Sequence, residues 1–143
     1  KFRDECTSDQ IERFTEGFKD SRIGAILPMA GNGHAEFFDG VEGRNNLATT
    51  VLLMTAQDNP VGAETLFEEL SLSNFTWVEI AGGCHELFNL GCGFVEDTEK
   101  FPLVTTYALA FGRRSILNDS DPTTLGILDG TIEVSPHITL KKK

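Results

Sequence analysis

Two residues of complementary acid–base character each follow an apolar, strand-like run. Val51-Leu52-Leu53-Met54 leads into Ala56-Gln57-Asp58, and after a helical stretch Trp77-Val78-Glu79-Ile80 leads into Ala81-Gly82-Gly83-Cys84-His85. In open parallel sheets ligands bind outside the carboxyl ends of the strands, so residues directly after a strand are the natural catalytic positions. An ionised Asp that accepts the Nδ1–H of a His fixes the ring's tautomer, and it stabilises the imidazolium formed when Nε2 takes a proton from a hydroxyl nucleophile. Types and spacing together predict an acid–base pair, with Asp58 orienting and His85 acting as general base. The plainer alternatives are that Asp58 serves a turn, since Gln-Asp-Asn-Pro is good turn chemistry, and that His85 is a polar loop residue after a glycine pair.

Other residues carry weaker signals. Cys84 and Cys92 bracket the histidine loop. Structural zinc normally takes four protein ligands, and the Cys-His-x6-Cys spacing is unlike the common finger patterns, so no metal is expected. A disulfide steadying that loop, or linking it to Cys6, is the stronger alternative beside buried thiols. His34 follows the first apolar run among Phe37 and Phe38, where it either lines an apolar pocket or lies on the surface. His137 reads as structural or solvated. Gly31-Asn32-Gly33 lacks the context of a phosphate-binding loop.

The elements that must position Asp58 and His85 can be read from periodicity. Ile11, Phe14 and Phe18 are spaced for a short amphipathic helix over Asp9 to Phe18, with Thr7, Ser8 or Asp9 as its cap. Residues 22–29 form a nearly continuous apolar run, as expected of a strand covered on both faces. Residues 30–46 read as a loop. Thr49 to Thr55 and Asn74 to Ile80 are the next strands, with a helix over Val61 to Leu70 between them. Strands alternating with helices imply βαβ units and a parallel sheet. Phe101, Val104, Ala108, Phe111 and Leu117 predict a helix over Thr98 to Leu117, with Pro102 in its N-terminal turn. An Asp-Ser-Asp-Pro run ends it, and Leu125 to Lys143 shows no clear period.

The chain of 143 residues suits a single domain over 1–143, with 40% hydrophobic and 24% charged residues, as in soluble globular proteins. No apolar stretch approaches the ~18 residues of a membrane span. A formal net charge of −10 speaks against nucleic acid as a partner. The one basic cluster, Lys141-Lys142-Lys143, is expected to be a solvated, disordered tail. Two Asn-x-Ser/Thr patterns, at Asn74 and Asn118, join the odd cysteine count in tilting the reading toward an extracytoplasmic protein.

The segment Val78 to His85 resembles the strand-glycine-histidine segment of α/β-hydrolases, particularly the branch of dienelactone hydrolases, platelet-activating-factor acetylhydrolases and polyester-cleaving cutinases. Thr50 to Asp58 is similar to that family's acid strand, and Asp20 to Ala30 to the strand after its nucleophile helix. The resemblance spans about Asp20 to Leu117, and its specificity lies in the order and spacing of the motifs. It implies a three-layer α/β/α fold with a parallel sheet, of which this chain is the C-terminal portion. It also implies the last two members of a Ser…Asp…His triad, Asp58 and His85, acting on a carboxylic ester without cofactor or metal. None of the serines present has glycines two residues before and after it. The nucleophile and its Gly-x-Ser-x-Gly elbow are therefore expected upstream of Lys1 or on a companion chain, and this chain alone is expected to be inactive. A non-catalytic hydrolase-like or flavodoxin-like binding domain is the alternative.

Overall fold

The computed structural model describes residues 7–15, 22–29, 49–57, 62–71, 74–88 and 97–143. The described residues form a mixed α/β structure around a four-stranded sheet. Its strands are β1 (Ala25–Ile26), β2 (Thr50–Ala56), β3 (Phe75–Ile80) and β4 (Ile138–Lys142), in the order β1-β2-β3-β4. The first three strands run parallel, and β4 runs antiparallel to β3. The three strands read from the sequence are parallel as expected, and β4, for which the sequence shows no period, makes the sheet mostly rather than entirely parallel.

Strand β2 is buried at six of its seven positions, and β3 at five of six. Their near-continuous apolar sequences follow from being covered on both faces. Successive side chains alternate between those faces. Leu52, Met54, Ala56, Val78 and Ile80 enter one core, while Val51, Leu53, Phe75 and Trp77 enter the other. On the second face Trp77 Nε1 donates to the buried Thr55 Oγ1 at 2.8 Å, so neither polar group is left unpaired.

Helix α1 (Ser8–Thr15) opens on a reciprocal cap: Gln10 N–H donates to Thr7 Oγ1 at 3.3 Å, and Thr7 N–H donates to Gln10 Oε1 at 2.8 Å. Helix α2 (Ala63–Glu69) covers the second face through Ala63 and Leu66, joined by Leu70 just after its end. Helix α3 (Asp97–Leu117) covers the first face. Its buried stripe is Leu103, Tyr107, Ala110 and Phe111, a 3- and 4-residue spacing. Of the expected stripe Phe111 is buried and Val104 packs half-buried against the core, while Ala108 is half-buried and Leu117 is exposed. Pro102 lies inside the helix rather than in its opening turn.

The last part of the chain differs most from expectation. Asp-Ser-Asp-Pro ends α3 but also starts α4 (Pro122–Asp129), with Asp121 as N-cap accepting from Thr123 N and Thr124 N, and Pro122 in the first turn. The expected disordered lysine tail is a strand. Leu140 pairs with Val78 and Lys142 with Thr76. Lys141 Nζ lies 4.3 Å from the Trp77 ring centroid and 3.8 Å from Glu64, and Lys143 Nζ donates to the carbonyls of Glu68 and Leu70. The long lysine stems cover the aromatic side chains of the second core while their charged ends meet α2.

Candidate active site

The carboxyl ends of β2 and β3 lie side by side, with Ala56 paired to Ile80 in parallel register. The chain leaving β2 is fastened to the chain leaving β3 at two points. Gln57 N–H donates to Ile80 O at 3.0 Å, and Gly82 N–H donates to Gln57 Oε1 at 2.8 Å. The residue preceding Asp58 is thus bonded into the turn that leads to His85. Asp58 itself lies outside the described residues, as do His34, Cys6 and Cys92.

The turn after β3 requires both of its glycines. Gly82 adopts φ 70°, in the left-handed region that side chains rarely enter. A Cβ on Gly83 would stand 2.9 Å from Leu87 Cδ2 and 3.0 Å from Ala56 Cβ, so the absent side chain lets the loop lie against the sheet. His85 begins a short 3-10 turn, His85–Phe88, closed by Leu87 N–H donating to Cys84 O at 3.0 Å. Leu87 is 2% exposed and belongs to the first core, which fixes that turn against the sheet end. The backbone of His85 is therefore anchored at the carboxyl edge; its side chain lies outside the described residues.

Cys84 is half-buried beside the histidine, and the cysteines that the sequence allows as its disulfide partners, Cys6 and Cys92, lie outside the described residues. His137 is exposed, and its carbonyl accepts from Ala81 N–H at 2.8 Å, tying the start of β4 to the end of β3. The contact is not legible in the sequence, because Leu125 to Lys143 has no clear apolar period. Among the described residues no three His, Cys, Asp or Glu side chains converge as metal ligands, and no helix is long and apolar enough to cross a membrane.

Compared with protein-family models, curated proteins and solved structures, the chain shows no significant match to any.

Proposed function

We propose that this chain is the C-terminal part of a serine hydrolase of carboxylic esters, with a three-layer α/β/α arrangement of the α/β-hydrolase kind. The observation that supports the reading is the tie between Gln57 and Gly82 across two adjacent parallel strands, which joins the residue before Asp58 to the turn before His85 at one sheet edge. In this reading a serine on an upstream segment or companion chain attacks the ester carbonyl while His85 takes its proton. His85 then protonates the leaving alcohol and activates water for deacylation, and Asp58 holds the imidazole in the required tautomer.

Two measurements test the proposal. In a preparation containing the nucleophile-bearing segment, a fluorophosphonate probe labels a serine, and His85→Ala abolishes the labelling; a preparation that never labels overturns the esterase reading and favours a binding domain. In the chain alone, proton resonances of His85 followed through a pH titration report whether a carboxylate faces the ring. The expected result is that His85 protonates at lower pH in Asp58→Asn than in the unaltered chain, since losing a neighbouring negative charge disfavours the imidazolium. Identical titration curves would separate the two residues and end the proposed pairing.

A further inference from the structure

Helix α3 carries two uncharged stripes, and the core accounts for only one of them. Leu103, Tyr107, Ala110 and Phe111 are buried against the sheet. The other stripe is Pro102, Thr105, Leu109, Gly112 and Ile116, spaced by 3, 4, 3 and 4 residues. Leu109 is 66% and Ile116 73% exposed, whereas the outward stripe of a helix against a core is normally polar or charged. Arg113 and Arg114 flank the stripe, but both are drawn to Asp119, Arg113 Nε to its carboxylate at 2.6 Å and Arg114 to its carbonyl at 3.3 Å. Thr105 Oγ1 donates back to Pro102 O at 3.3 Å, so that hydroxyl bonds within the helix. A Cβ on Gly112 would meet nothing within 4 Å, so a notch lies between the projecting side chains of Leu109 and Ile116.

Small and large residues alternate along the stripe, in the order Thr105, Leu109, Gly112, Ile116. Two copies of α3 laid antiparallel about a two-fold axis between positions 109 and 112 set Leu109 over the partner's Gly112 and Ile116 over the partner's Thr105. Each projection then meets a recess. In a parallel alignment Leu109 meets Leu109 and Gly112 meets Gly112, which leaves a void that forfeits packing. Any other partner has to supply the same alternation in reverse; a second copy already carries it. The contact area sets the strength. From Pro102 to Ile116 the helix is about 22 Å long and 10 Å wide, a patch of roughly 200 Å² per copy. A stable dimer buries about 800 Å² on each partner, so this contact belongs to the weak, reversible class. The net charge of −10 on each copy opposes it further.

We propose that two copies of this chain associate through the exposed stripe of α3, as an antiparallel two-fold dimer that forms reversibly at high concentration. The surface is separate from the ester-hydrolysis reading and stands or falls without it.

Sedimentation velocity and ¹H–¹⁵N spectra of the full chain, from about 10 μM to 1 mM, test the proposal. The sedimentation coefficient rises toward that of a dimer across the range, and concentration-dependent shifts centre on residues 102–117. Added salt strengthens the association by screening the repulsion between copies. Ile116→Glu, at an exposed position, keeps the folded spectrum at low concentration and weakens association about tenfold or more, because the symmetry introduces the charge twice. Gly112→Leu and Leu109→Ala each weaken it as well, and the double variant, with a large residue at 112 over a small one at 109, recovers it. A sedimentation coefficient flat across the range, shifts centred elsewhere, or no recovery in the double variant would overturn the proposal. So would a preparation containing the nucleophile-bearing segment in which that segment, rather than a second copy, protects residues 102–117.

Discussion

Gly83 and Gly112 show how differently the same residue can be constrained. A methyl group added at Gly83 meets Leu87 Cδ2, Ala56 Cβ and, at 3.3 Å, the Ile80 carbonyl oxygen, whereas at Gly112 in α3 it meets no described atom within 4 Å. Gly83→Ala is therefore expected to destabilise the fold by about 1–3 kcal/mol through overpacking. Gly112→Ala should stabilise it by about 0.5–1 kcal/mol, since alanine gives up less backbone freedom inside a helix. Urea midpoints of the two variants should move in opposite directions. The glycine pair before His85 is visible in the sequence, but the reason for it is not: Gly83 is held by Ala56, a contact made only once β2 and β3 lie side by side. The same holds for Gln57, which reads as an ordinary turn residue until its amide oxygen is seen to accept from Gly82, 25 residues away.

Among the elements, the corner between α3 and α4 is held by carboxylates. Asp119 accepts from Asp121 N–H at 3.0 Å, Arg113 Nε at 2.6 Å and Thr124 Oγ1 at 2.9 Å, and Asp121 caps α4. The backbone amide of Asp121, helped by Arg113 and Thr124, holds the Asp119 carboxyl below its ordinary range, and bonds from Thr123 do the same for Asp121. A carboxyl depressed by folding adds stability above its unfolded pKa and loses it as pH falls through the depressed folded value. Stability should thus be level through neutral pH and decline below the ordinary carboxylate range. Asp119→Asn should lower the urea midpoint at neutral pH and flatten that acid decline; an unchanged acid limb would show that the corner contributes nothing. The signal for α4 was present as Asp121 followed by Pro122, a cap and first-turn pair. The same run also terminates α3, and the sequence Leu125-Gly126-Ile127-Leu128, small and apolar, gives the following helix no polar face.

At the scale of the molecule, charge and sheet topology decide the behaviour. With a net charge of −10 the folded chain repels itself, and the Lys141–Glu64 pair, 3.8 Å apart and partly exposed, offsets little of that. Raising sodium chloride from low to physiological concentration should therefore raise the urea midpoint, as screening relieves the repulsion. A falling midpoint would show that local ion pairs dominate instead.

The sequence by itself determined β2, β3, α2 and α3, because strands covered on both faces must be apolar throughout and helices against a sheet must carry a 3- and 4-residue stripe. It also set Asp58 and His85 directly after two such strands. Only the tertiary structure decided that Ile138–Lys142 is a strand, and that it runs antiparallel. Its lysines look like a solvated tail as sequence, but they lie over Trp77 and Phe67 and bond to the end of α2, partners that exist only after the sheet has assembled. Local composition reports how a residue meets water in isolation. Which surface a long, amphipathic side chain finally covers is settled by residues far away in the chain.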